Sequence, residues 1–178
     1  TDNFDRALYH YTESIKYTKK SMADTPFDAM RVLLFTLCNQ GYCLIASGNV
    51  SELDTNLEQI NAYLTDMKKH SVPHETFVVN NYLANVYYFK NDIDKAHMYM
   101  ELADRALNEL NNFTTFSDDI LTYIQIKEKL CTIEDYTSLL DDFIAKSATM
   151  HAPHFLFCRL LENRIEIALS AQDNTAFC

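Results

Sequence analysis

Two glycines and three prolines in 178 residues leave little material for turns. Soluble domains carry about 7% and 5% of these residues, and a β-rich chain uses them at turns placed roughly every 8–12 residues. A chain this poor in both folds as helices joined by short connections. The expected class is all-α, and the length suits one domain, 1–178, with a continuous core.

The connections carry a period. Short polar breaks recur at Asp2-Asn3-Phe4, Gly48-Asn49-Val50, Asn91-Asp92-Ile93, Cys131-Thr132-Ile133 and Gln172-Asp173-Asn174. Their third residues stand at 4, 50, 93, 133 and 174, so the spacings are 46, 43, 40 and 41. A second class alternates with them: Asp24-Thr25-Pro26, Ser71-Val72-Pro73, Phe116-Ser117-Asp118 and His151-Ala152-Pro153. Thr25-Pro26 and Ser117-Asp118-Asp119 have the residues of helix starts, with proline suited to the first turn and acidic groups to the dipole. The unit is helix, tight turn, helix, longer turn. Leu53, Leu57, Ile60 and Leu64 form a helical stripe, as do Tyr136, Leu139, Leu140, Phe143 and Ile144. Each pair has more apolar face than it can bury alone, and stacking pairs into a solenoid covers it. The first and last breaks lie at the chain ends, so the expectation is a piece of a longer protein whose polar caps lie elsewhere.

Residues 83–103 read LANVYYFKNDIDKAHMYMELA. This segment resembles the core of a tetratricopeptide repeat (TPR). Leu83, Ala84 and Tyr87 match the large, small and tyrosine positions of the first helix. Asn91-Asp92 match the turn, and Ala96, Tyr99 and Ala103 the second helix. Gly41 and Gly48 fill the small and turn positions of the preceding unit, and Ala7 the first alanine of the opening half-unit. Ile124, Tyr136 and Ile165 stand where small residues are expected. The spacing exceeds the family's usual length of about 34 residues. Such long variants resemble the superhelical sensor domains of bacterial signalling proteins.

The resemblance implies a right-handed α-solenoid of about four antiparallel helix pairs, with the first helix of each pair lining a concave face. Small residues are expected where the two helices of a pair cross closely. Projected onto this sequence, the lining is Phe35, Cys38 and Tyr42; Val78, Asn81, Asn85 and Tyr88; Asp118, Leu121, Gln125 and Glu128; and Arg159, Glu162 and Glu166. Steps of three or four put each set on one helical face. Asn81 and Asn85 match positions where peptide-binding relatives hold a ligand backbone, since an amide both donates and accepts. Tyr88, Gln125, Tyr42 and Arg159 complete the candidate groove. The basic clamp for a terminal carboxylate is mostly missing. The implied function is a protein- or peptide-binding module, the sensor or regulatory part of a signalling protein with a cyclase or DNA-binding output. A scaffold that dimerises through exposed end helices and a metal-dependent enzyme are the alternatives.

Charge narrows the partners. With 15 Lys+Arg against 25 Asp+Glu the net charge is −10, and the densest basic run is Lys16, Lys19 and Lys20 at a helix end. Nucleic acid and anionic membranes are not expected as direct partners. Cys38, Cys43, Cys131, Cys158 and Cys178 form no paired framework, which points to a reducing, cytoplasmic setting. The apolar stretch Val32–Ala46 is broken by Asn39, Gln40 and Gly41, and reads as a buried helix. No phosphate loop, nucleophile elbow or kinase signature is present, so neither enzyme activity nor a cofactor is expected. His70 and His74 flank Pro73, and His151 and His154 flank Pro153. Without an HExxH pattern they read as surface loop residues, and no metal is expected.

Overall fold

Eight helices account for nearly all of the described residues, and no strand occurs among them. The structure, a computed structural model, describes residues 2–70, 73–110, 117–150 and 152–175, apart from the side chains at 2, 65–70 and 171–175. Ser71, Val72, Phe116, His151, Cys178 and the His70 side chain lie outside this set. The helices are α1 (Asp2–Ser21), α2 (Pro26–Ser47), α3 (Val50–His70), α4 (Pro73–Phe89), α5 (Ile93–Asn108), α6 (Ser117–Leu130), α7 (Ile133–Thr149) and α8 (His154–Thr175). They fall into two compact units, one holding α1–α5 and the other α6–α8.

The tight turns sit at the three interior positions that the period marks, and local chemistry explains each. Gly48 adopts φ 72°, and Asn91 adopts φ 60°. Both close a helix in the left-handed region that glycine and asparagine tolerate best. The amides of Gly48 and Asn49 then reach Ile45 O and Leu44 O, as those of Asn91 and Asp92 reach Tyr88 O and Tyr87 O. At the third turn Thr132 caps α7 by accepting the Asp135 amide at 3.2 Å. Pro26 opens α2 as expected, although Thr25 makes no side-chain cap.

The two terminal breaks are corrected. Asn3 and Phe4 belong to α1, and α8 runs through Gln172-Asp173-Asn174 to Thr175. Neither segment holds glycine or proline, and the helix-propensity cost of Asn, Asp and Gln is a few tenths of a kcal/mol each, about the size that packing routinely outweighs.

In the first unit α2 is the central helix, packed against α1, α3 and α4. It is long and apolar enough to cross a membrane. Here Leu33, Leu34, Leu37, Cys38 and Leu44 are buried in the core with Leu53, Leu57 and Ile60 of α3 and Val79, Tyr82, Leu83 and Val86 of α4. The repeat-like residues of α4 and α5 pack as a pair: Ala84, Ala96 and Ala103 are buried, and the rings of Tyr87 and Tyr99 stack at 5.3 Å.

Gly41 is small for a reason that the repeat pattern does not supply. A Cβ there would meet the Tyr82 hydroxyl at 1.9 Å, so the residue makes room for a ring of α4, not for its own paired helix α3. The Tyr82 hydroxyl donates to Asn56 Oδ1 at 2.6 Å, and Asn56 Nδ2 donates to Leu37 O at 2.9 Å and Gln40 Oε1 at 3.1 Å. This buried network ties α2, α3 and α4 together with its polar atoms paired.

The second unit is smaller. Ile120, Tyr123, Ile124 and Ile126 of α6, Tyr136, Leu140 and Phe143 of α7, and Leu156 and Leu160 of α8 are buried. Leu161, Ile165 and Leu169 form an exposed apolar row along α8.

Candidate functional site

The expected groove residues separate once their surroundings are known. Asn81 is fully buried, as are Val78 and Cys38, so none of these lines an open surface. The cause is α4 itself, in which every residue from Phe77 to Ala84 is buried. A helix apolar nearly all round has no free face. Its asparagines turn inward on their own helix: Asn80 Nδ2 donates to Thr76 O at 2.7 Å, and Asn85 Nδ2 to Asn81 O at 3.0 Å. Asn85 and Tyr88 are half-buried. Tyr42 is half-buried too, its ring set edge-on to Tyr82 at 5.2 Å. Phe35 lies 5.3 Å from the His74 ring, so the aromatic positions on α2 meet α4 rather than a ligand.

In the second unit Gln125 and Arg159 are exposed. Arg159 pairs along its own helix with Glu162 at 2.9 Å. Among the described residues no group of three or more His, Cys, Asp or Glu side chains is placed to hold a metal ion. His154 instead lies 3.6 Å from the Cys158 sulfur, one turn along α8.

Two lining residues do converge on a cavity. Glu128 near the end of α6 and Glu166 on α8 line a pocket of about 450 Å³. Ile133 and Tyr136 of α7, with Asn163, Ile167 and Ser170 of α8, complete it. Ligand pockets span roughly 300–1,000 Å³ and combine apolar walls with a few polar groups, as here. A shallower hollow of about 290 Å³ between α1 and α2 includes Ser21, Asp28 and Val32, with one charged group.

The pocket's chemistry is set by helix spacing. Asn163, Glu166, Ile167 and Ser170 recur at three and four residues on α8, so one face presents them all. Tyr136 is 4% exposed, and its hydroxyl accepts a hydrogen bond from Asn163 Nδ2 at 3.4 Å. Burial first, and then the Glu128 carboxylate, push the phenol up to about 12; Glu166 adds to this and the Asn163 bond opposes it.

Tyr82 moves in the same direction, through burial and then its neighbours Cys38 and Tyr42. Both phenols hold their protons more tightly folded than unfolded, where a tyrosine ionises near pH 10, about its ordinary value. The Tyr136 contribution is therefore complete below about pH 10 and is lost as pH rises through about 12, and that of Tyr82 is lost only at higher pH. The urea midpoint is expected to fall across that window, and less steeply in Tyr136→Phe. Equal slopes in the two proteins would show that Tyr136 ionises alike folded and unfolded.

Tyr136 and Asn163 were not among the expected groove residues. The available signal was Tyr136 itself, a large residue at a position where the repeat pattern calls for a small one. No family model, curated protein or solved structure matches this chain.

Proposed function

We propose that this chain is a TPR-like binding module that recognises a protein segment. The tight turns at Gly48, Asn91 and Thr132 support the repeat reading, as does the pairing of α4 with α5 through Ala84, Ala96, Ala103 and the Tyr87–Tyr99 stack. In this reading the helix pairs stack as a right-handed solenoid, and the ligand meets the open side of α6 and α8, since α2 and α4 are enclosed. The observation that carries the binding function is the open pocket where α6 and α8 present Glu128 and Glu166 beside Tyr136.

By the resemblance alone, the module acts as the sensory part of a cytoplasmic bacterial signalling protein. The test is a displayed library of short peptides screened against the full chain, with hits measured by calorimetry. Saturable binding at about 1–100 μM is the expected result for a single peptide segment. A library without one saturable binder overturns the reading.

A further inference from the structure

We propose that the pocket formed by α6, α7 and α8 takes a primary alkylammonium group, the lysine side chain of a bound protein segment; this rests on the binding-module reading. Its polar atoms are mostly acceptors. Glu128 and Glu166 supply two carboxylates, and Asn163 and Tyr136 add neutral oxygens. Among the described residues no lysine or arginine lies within ion-pair distance of either glutamate. Arg159 pairs with Glu162 at 2.9 Å and gives Glu166 only a weaker, longer-range attraction, while Arg164 pairs with Asp141 at 2.8 Å and Lys146 with Asp142 at 2.5 Å. The ammonium of Lys127, next in sequence to Glu128, sits 5.5 Å from the centre of the Tyr123 ring.

Tyr136 is the second, independent observation. The residue is 4% exposed and borders the pocket, and its hydroxyl accepts from Asn163 at 3.4 Å. The hydroxyl keeps a lone pair for an ammonium N–H, and a proton for whichever glutamate the ammonium draws inward.

The walls select the rest of the ligand. Ile133 is 75% exposed at the start of α7, and with Ile167 it gives the pocket an apolar side. A chain of methylenes covers that side while its charged end reaches the carboxylates. A compact ammonium with three rotatable donors suits acceptors spread over three helices, whereas a planar guanidinium suits the edge of one carboxylate. A calcium-type cation takes about six to eight oxygens and would leave the isoleucines uncovered.

The test titrates the ¹⁵N-labelled full chain with Nα-acetyl-lysine N-methylamide, and separately with its neutral Nε-acetylated counterpart. Saturable amide shifts at Glu128, Tyr136, Asn163 and Glu166 are expected with the charged probe alone. The double variant Glu128→Gln, Glu166→Gln should weaken binding at least about tenfold, since charge pairing supplies much of the recognition. Both glutamates are exposed, and an unchanged amide spectrum without probe verifies the variant's fold. Equal shifts with the neutral probe, unchanged affinity in the double variant, or no shift up to about 50 mM would each overturn the assignment. Peptide hits without lysine would leave the binding module standing and remove this pocket from it.

Discussion

Gly41→Ala is expected to destabilise the five-helix unit by about 3 kcal/mol or more, as overpacking of a rigid core does. On an exposed helix the same change would stabilise by about 1 kcal/mol, because alanine is the better helix former. The sign therefore reports the surroundings. Here the new methyl would stand 1.9 Å from the Tyr82 hydroxyl and 2.3–2.5 Å from its ring. The ring cannot swing aside, since Tyr82 is fully buried and its hydroxyl is held by Asn56. Tyr82→Leu opens the space at the cost of a cavity and of the Asn56 hydrogen bond. Combined with Gly41→Ala it should cost less than the sum of the single changes, with a coupling of about 1–3 kcal/mol. Urea unfolding of the four proteins measures this. Additive losses would mean that α2 and α4 do not meet at Gly41.

Arg31→Ala should have the next largest effect, a loss of about 2–3 kcal/mol. Glu75 in the first turn of α4 is 2% exposed, and one carboxylate oxygen takes both Nε and Nη2 of Arg31. The other oxygen has no hydrogen-bond partner among the described residues. Removing the arginine strands a buried charge, which costs about 3–5 kcal/mol when both partners are buried. The Arg31 side chain is 40% exposed, and solvent screening lowers the figure. Adding Glu75→Gln should recover much of the loss, because a neutral amide carries less desolvation penalty. If Arg31→Ala and Glu75→Gln cost the same singly and together, the pair acts as a unit. If Arg31→Ala is silent, water already compensates Glu75.

Much of the helical framework was legible because its causes are short-range. Gly48, Asn91 and Thr132 end or begin helices through hydrogen bonds that span three to five residues, and those residues are visible in any local window. The same locality misled at Gln172-Asp173-Asn174, where polarity suggested a turn although nothing prevents a helix. The stripes on α3 and α7 were readable because each has one apolar face and one polar face. On α4 the pattern failed. Asn81 and Asn85 looked like markers of an open side, yet α4 is enclosed and its amides turn to its own carbonyls.

The candidate site divides in the same way. Helical spacing fixes which neighbours share a face with Glu128 on α6 and with Glu166 on α8, because i, i+3 and i+4 geometry belongs to each helix alone. That the two faces enclose one pocket, and that Tyr136 of α7 fills its floor, depends on how three helices pack. By itself, the sequence determined the all-α class and the interior turns, since backbone propensity and capping act within a few residues. Tertiary structure decided which polar groups are open and which are enclosed. Burial depends on side chains from segments distant in sequence, as the Tyr82 ring against Gly41 shows.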